Sequence, residues 1–176
     1  MNLLPLRPDQ IIAMIDYPPL QCPGALERYF QRFLADAQDI SPVPVVSTRL
    51  ALEFFRRRQD QFASFASILE AFMDGHPAAE YFMLGGYHRS AAAVLAGRTI
   101  PCVAVSTDDD FREINASERS IRLHGDYTTI MRDMVSIDEE LQDLEAHFHD
   151  HRRFWTVEEK VRTMVANGDV PASVGE

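Results

Sequence analysis

Two adjacent glycines, Gly85 and Gly86, lie between an apolar run and a run of small residues, and they constrain the fold more than any other feature of the sequence. Residues 80–84 before them predict a strand, because the four residues that follow Glu80 are aromatic or apolar. Residues 89–96 are rich in alanine and predict a helix, and residues 99–106 predict a second strand. Strand, glycine turn, helix and strand together predict a βαβ unit and an α/β (α+β) chain.

Three further elements are predicted before the glycines. Apolar residues recur at three- and four-residue steps between Ala25 and Ala37, which predicts a helix with one buried stripe. Residues 42–47 are rich in valine, with prolines only near their start, and predict a strand. Residues 49–79 predict a helical insertion with a break near residues 59–64, because a single helix of that length would far exceed the usual mean.

After the second strand the pattern changes to that of helices. Two capping boxes, Ser136–Glu139 and Thr156–Glu159, predict helix starts that precede apolar stripes. No internal repeat or flexible linker separates this region from the rest of the chain. We therefore expect a compact domain over residues 1–115 and a helical C-terminal extension over residues 116–176 that packs on it.

The length and charge of the chain restrict its class. A chain of 176 residues has the size of one domain, and its formal charge of -10 repels phosphate backbones on average, so nucleic-acid binding is not expected. The first residues lack a secretory pattern, and no run reaches the roughly 18 apolar residues of a membrane helix. Cys22 and Cys102 are far apart and predict neither a disulfide framework nor a cysteine zinc site. We expect a cytoplasmic protein with no membrane partner.

The segment Gly85–Ser90 carries the clearest chemical signal. It reads Gly-Gly-Tyr-His-Arg-Ser and lies at the predicted helix start, where unpaired backbone N–H groups and the peptide dipoles favour an anion. The glycines allow a ligand to approach the backbone closely. His88 adds a donor, and Arg89 can donate to two phosphate oxygens at once. These residues predict a phosphate-binding turn; the alternative is a plain turn with His88 and Arg89 exposed at the helix start.

Residues 81–110 resemble the ParB/sulfiredoxin superfamily, which includes ParB-like nuclease domains, and they are most similar to its sulfiredoxin branch. The resemblance rests on Gly85–Arg89 and on Thr99–Pro101, and the order of the earlier elements extends it toward the N-terminus. It implies a compact α/β fold whose glycine turn holds the phosphates of ATP, ADP or CTP. His88 and Arg89 occupy positions of the family motif.

Three departures from the family pattern bear on function. Tyr87 stands where the sulfiredoxin motif has its cysteine, so repair of a sulfinic acid is not expected. The insertion at residues 49–79 is absent from compact family members and could cover or reshape the pocket. Arg28 and Arg32 lie four residues apart on one helix face, and they predict either additional phosphate contacts or an exposed salt-bridging face.

Other polar clusters are weaker candidates for sites. Asp108–Asp110 could hold Mg²⁺ beside a nucleotide, and the alternative is a solvated turn that caps a helix. Arg56–Arg58 predicts a solvated face rather than a nucleic-acid contact. His147–His151 carries a histidine at every second position, and such side chains diverge on a helix, so no metal site is predicted. Cys102 is expected to be a core thiol.

Our preferred interpretation is a nucleotide-binding protein in which Gly85–Ser90 holds the phosphates and Arg89 clamps them, with phosphoryl transfer or hydrolysis as the reaction. No catalytic base is assigned, because Glu27, Glu53 and Glu80 are all open by chain position. The alternative is a non-enzymatic interaction module whose helical segments bind a protein partner or a second copy of the chain. A DNA-associated nuclease-like domain rests on family relatives alone and conflicts with the acidic charge.

Overall fold

The computed structural model describes residues 3–13, 23–57, 59–114, 136–143 and 153–175. These residues form a six-stranded mixed sheet with helices on both faces, so the predicted α/β (α+β) class is confirmed. Among them, none of the helices combines the length and the apolar character that a membrane span requires.

The bounds of the elements agree with the sequence prediction between residues 23 and 106. The strands are β1 Leu3–Leu6, β2 Ile11–Ala13, β3 Val43–Ser47, β4 Tyr81–Met83, β5 Ile100–Ala104 and β6 Trp155–Thr156. The helices are α1 Pro23–Leu34, α2 Thr48–Arg57, α3 Gln59–Gly75, α4 Tyr87–Leu95, α5 at residues 108–114, α6 at residues 137–143, α7 Val157–Asn167 and α8 Ala172–Gly175, and a 3-10 turn covers Pro8–Gln10. The predicted insertion is helical: α2 ends at Arg57 and α3 begins at Gln59, at the start of the range where the break is predicted.

The strands follow the order β1-β5-β3-β4-β2-β6 across the sheet. β5 is parallel to β3 and β2 is parallel to β4, whereas the other neighbouring pairs are antiparallel. β3 separates β4 from β5, since Val45 lies opposite Met83 on one side and Ala104 on the other. The predicted βαβ unit is therefore wrong: strand, helix and strand follow in order, but β4 and β5 are antiparallel and do not pair. The local pattern identifies the elements, while the pairing depends on β3, which lies far away in the sequence.

Each face of the sheet has its own apolar core, because strand residues alternate between the faces. Val43, Val45 and Met83 pack with α1, α4 and α7 on one face. Val46 and Phe82 pack with α2, α3, α5 and α6 on the other. The insertion of residues 49–79 therefore packs on the face opposite α4 and not over it.

The C-terminal region contributes to the sheet as well as to the helices. β6 pairs with β2, with Thr156 opposite Ile12. Thr156 is also the N-cap of α7, where its side chain accepts from the Glu159 N–H at 3.1 Å, as the capping box predicts. The sequence analysis predicted only helices for residues 116–176; β6 has two residues, too few for an alternating pattern to identify.

A histidine links the two faces of the sheet at one end. The ring nitrogens of His76 lie 2.9 Å from the Phe72 carbonyl oxygen in α3 and 3.1 Å from Glu159 Oε1 in α7. The His76 ring stacks on Phe72 with the ring centroids 4.0 Å apart. Burial raises the pKa of Glu159, but hydrogen bonds from the Thr156 N–H and His76 outweigh it and hold the pKa below its usual value.

We expect Leu69→Ala to lower the free energy of unfolding by about 2–5 kcal/mol, because Leu69 is fully buried between α3 and the sheet. Ile68→Ala, one residue earlier and on the exposed side of α3, is the matched control and should cost less than about 1 kcal/mol. Urea unfolding measures both. Equal losses would contradict the assignment of Leu69 to the core.

Candidate functional site

α4 begins directly after the glycine turn that the sequence marks for phosphate. Gly86 is its N-cap, with φ 83° and ψ 28° in the left-handed region, and it has no side chain that could cap the helix. The Leu84 N–H donates to the Pro44 carbonyl at 2.9 Å, which holds the turn against β3. The turn therefore leads into a helix N-terminus, where the dipole favours negative charge.

The conformation and the surroundings of Gly86 both disfavour a side chain. A Cβ atom built there would lie 3.1 Å from Arg89 Nη2 and 3.1 Å from Val43 Cγ2, tighter than ordinary contacts. The Arg89 guanidinium thus lies directly against the Gly86 backbone. Gly85 differs, because its Cβ position meets only Pro44 Cγ, at 3.9 Å.

Arg89, the predicted phosphate clamp, is buried and holds a loop in this structure. Its side chain reaches from the first turn of α4 to the connection between α1 and β3. Nη1 donates to the carbonyl oxygens of Ser41 at 2.9 Å and Pro42 at 3.1 Å. Its role toward phosphate stays a prediction, and its observed role is to fix residues 41 and 42 beside the glycine turn.

Tyr87 and Ser90 both pack inward on α4. The ring of Tyr87 is partly buried against the core of α1, α4 and α7, and not against the insertion helices. Ser90 is fully buried; its hydroxyl donates to the Tyr87 carbonyl at 2.9 Å and its N–H to the Gly86 carbonyl at 2.9 Å. Both Ser90 donors are therefore used inside the helix.

His88 is the partly buried histidine of the first turn. Its Nε2 atom is shielded from solvent and has no hydrogen-bond partner among the described residues. Burial lowers the pKa of His88, so its ring is neutral at pH 7. A neutral imidazole has one N–H donor, which suits a hydrogen bond to a phosphate oxygen.

Arg28 and Arg32 lie on α1, which packs against α4. Arg28 is exposed, whereas Arg32 is half-buried. Arg32 forms an ion pair with Asp39 and donates to its carbonyl oxygen at 3.2 Å. The hydrogen bond from Arg32 lowers the pKa of the Asp39 carboxyl. Of the two predicted outcomes for this pair, salt bridging is the one that Arg32 shows.

The three carboxylates considered as a base are not gathered at the turn. Glu80 precedes β4 while Gly86 follows it, so they lie at opposite ends of that strand. Glu53 lies on α2, on the other face of the sheet. Glu27 is exposed on α1, next to Arg28. The structure selects no catalytic base, and that assignment stays open.

The aspartates at residues 108–110 each have a separate partner. Asp110 Oδ2 accepts from the Ser106 and Thr107 N–H groups at 3.1 and 2.9 Å, and these bonds lower the pKa of Asp110. Asp109 pairs with Arg112, and Asp108 Oδ1 accepts from the Ile137 N–H at 2.9 Å. Asp108 and Asp110 thus accept backbone N–H groups at helix starts, as in the cap that was the alternative to a Mg²⁺ site, whereas Asp109 forms an ion pair.

The remaining predicted groups are a surface ion pair, a buried thiol and several residues outside the described part of the chain. Arg56 pairs with Glu70 on the surface, as expected of a solvated face. Burial raises the pKa of Cys102 to about 12 against the opposing charge of Arg89, which confirms a core thiol. Cys22, Arg58 and His147–His151 lie outside the described residues. In the part of the chain that is described, no three His, Cys, Asp or Glu side chains are grouped to hold a metal ion.

Sequence reasoning missed two features near the site and one in the core. Ser41 and Pro42 act through backbone carbonyls, for which the sequence has no signal. Asp39 belongs to a loop without periodicity. Lys160 is 3% exposed on α7, and here a signal existed, because it follows Val157 at the three-residue step of the buried stripe.

Comparison with known proteins finds no protein-family model, curated protein or solved structure that matches this chain. The resemblance of residues 81–110 to the ParB/sulfiredoxin superfamily therefore stays a prediction. Any assignment of function rests on the residues around α4.

We expect Gly86→Ala to destabilise the protein more than Gly97→Ala. Both glycines have positive φ, so each substitution costs about 1–2 kcal/mol in backbone strain. At Gly86 the new methyl group also displaces Arg89 or Val43, at a further cost of about 1–3 kcal/mol, whereas a Cβ at Gly97 meets nothing within 4 Å. Urea unfolding measures the difference, and similar losses at the two sites would show that Arg89 does not lie against Gly86.

We expect His88 to make the protein less stable in acid. Burial lowers the pKa of His88, so the unfolded chain binds the proton more readily than the folded chain does. Its stabilising contribution is present above the unfolded pKa of about 6.5 and is lost as the pH falls through the folded pKa. In unfolding measurements from about pH 7.5 down to about pH 5, His88→Gln should lose less stability than wild type. Parallel curves would contradict this prediction.

Proposed function

We propose that this chain binds a nucleotide, with its phosphates at the start of α4. The observation that carries the proposal is the N-terminus of that helix, whose N-cap is a left-handed glycine, a residue with no side chain to cap the helix. A phosphate oxygen there can accept from first-turn N–H groups and interacts favourably with the helix dipole. The resemblance of residues 81–110 to the ParB/sulfiredoxin superfamily supports ATP, ADP or CTP as the ligand.

The neighbouring residues have complementary roles in this proposal. Gly86, which has no side chain, lets the Arg89 guanidinium lie against the backbone of the turn. His88, neutral because of burial, donates one hydrogen bond to a phosphate oxygen. Arg32 and Arg89 supply positive charge from α1 and α4. A Mg²⁺ ion would arrive on the nucleotide, since residues 108–110 are engaged as helix caps and ion-pair partners.

The form of the proposal that we favour is binding, with phosphoryl transfer or hydrolysis as a further step. Such a reaction needs a group that takes a proton from the attacking hydroxyl or orients water. Glu53 lies on the opposite face of the sheet and Glu80 lies at the far end of β4. Since two of the three candidate carboxylates lie away from the turn and only Glu27 on α1 remains, a second candidate function is favoured, a module that binds nucleotide without turnover and interacts with a protein partner. Product formation from ATP or CTP with Mg²⁺ separates the two.

The decisive variant is Gly85→Asp. Gly85 has no positive φ and has room for a Cβ, so the folded structure should accept the change. The added carboxylate supplies the helix N-terminus with the negative charge that the phosphate would bring, and it repels the ligand. We expect the free protein to be as stable as wild type or more stable, and nucleotide affinity to fall by about tenfold or more.

Gly85→Asn is the matched control, with the same shape and no charge. Isothermal titration with ATP, ADP and CTP, with and without Mg²⁺, should show affinity within about threefold of wild type for this variant. If folded wild-type protein binds none of these nucleotides, or if the aspartate and asparagine variants bind equally well, the proposed site is wrong.

A further inference from the structure

The loop Asp39–Pro42, between α1 and β3, accepts hydrogen bonds from two of the arginines that the sequence predicts as phosphate contacts. Arg32 in α1 pairs with the Asp39 carboxylate and also donates to the Asp39 carbonyl at 3.2 Å. Arg89 in α4 donates to the carbonyls of Ser41 at 2.9 Å and Pro42 at 3.1 Å. One short loop therefore accepts hydrogen bonds from cations on two neighbouring helices.

The acceptors in this loop resemble those of a phosphate group. A carboxylate and a phosphate are both anionic acceptors that a guanidinium binds through parallel N–H groups. The Asp39 carboxylate is ionised at pH 7, as an exposed aspartate is, and the hydrogen bond from Arg32 lowers its pKa further. The carbonyls of Ser41 and Pro42 are neutral, and a guanidinium bonds more strongly to an anionic oxygen than to a neutral one.

We infer that the loop Asp39–Pro42 is an internal competitor of the phosphate ligand, and that a bound polyphosphate takes Arg32 from Asp39. This inference rests on the proposed function and adds regulation to it. The loop inhibits binding in the free protein, and occupancy of the turn before α4 loosens it. The state of the site is thereby transmitted to the connection between α1 and β3.

The exposure of the ion pair makes this exchange feasible. The side chains of Arg32 and Asp39 are 41% and 81% exposed, and ion pairs in such positions contribute little to stability. A di- or triphosphate has several charges to offer Arg32, whereas Asp39 has one. A polyphosphate should therefore displace Asp39 more readily than a single phosphate does, which favours nucleoside di- and triphosphates over monophosphates.

The test measures affinity for inorganic pyrophosphate and for ATP and CTP, by isothermal titration, in Asp39→Asn. Removing the competing charge should tighten binding by about two- to fivefold. Asp36→Asn is the matched control: Asp36 lies in the same connection and pairs with Arg98, with 69% of its side chain exposed. Its left-handed φ of 51° is one that asparagine also adopts. We expect no more than a marginal change for this control.

A second background shows whether the effect passes through Arg32. In Arg32→Gln protein, Asp39→Asn should leave the affinity unchanged, since no cation remains for the loop and the ligand to share. Hydrogen exchange gives an independent readout: pyrophosphate should speed exchange of the amides at residues 39–41 in wild type. A simple change in net charge would produce neither result.

The outcomes separate the inference from the proposed function. Tighter binding in Asp39→Asn alone, lost in the Arg32→Gln background, supports the inference. Equal affinities of wild type, Asp39→Asn and Asp36→Asn would leave nucleotide binding intact and overturn the competitor role. Equal tightening by both aspartate variants would also overturn it, as a general charge effect. If folded wild type and Asp39→Asn bind no polyphosphate, the proposed function fails and the inference fails with it.

Discussion

Apolar residues cover both faces of the central sheet, and the other elements are arranged to bury them. The inner strands of the sheet carry buried side chains on both faces. In β3, for example, Val45 packs toward α1 and α4, and Val46 packs toward α2 and α3. A sheet of this kind cannot leave one face to solvent, because burial of apolar area is the main favourable term in folding. The two helices of residues 49–79 are therefore a necessary layer of the fold and not an appendage to it.

The glycine turn serves this architecture and the candidate site at once. A side chain at Gly86 is unfavourable because its φ is positive and because Arg89 lies close to the position of a Cβ atom. Arg89 in turn fixes the backbone of Ser41 and Pro42 immediately before β3. The motif that predicts phosphate binding therefore also connects α4 to the start of β3, the strand that lies between β4 and β5. A change at Arg89 alters the wall of the site together with its charge, so loss of binding there would not by itself identify a phosphate contact.

The sequence predicts most of the helices and strands, and few of the contacts between residues that are distant in the sequence. Periodicity, capping boxes and proline positions place the helices and strands from α1 to β5, as well as the start of α7, because these signals lie within a few residues of one another. The pairing of β3 with both β4 and β5 depends on contacts between distant parts of the chain, so the βαβ expectation was wrong. At the site, the glycine turn follows from its own residues. The loop carbonyls held by Arg89 could not be predicted, since every residue has one.

The contact of His76 with Glu159 connects layers that the sheet otherwise separates. α3 belongs to one face and α7 to the other, and Glu159 also completes the capping box that starts α7. If the C-terminal end of α3 unfolds, Glu159 therefore loses the contact with His76, although α7 lies on the other side of the sheet. Partial opening of one layer is thermodynamically coupled to the other through this contact. Because both layers also pack on the strands of one sheet, the described part of the chain should lose its structure in a single cooperative transition, rather than one face at a time.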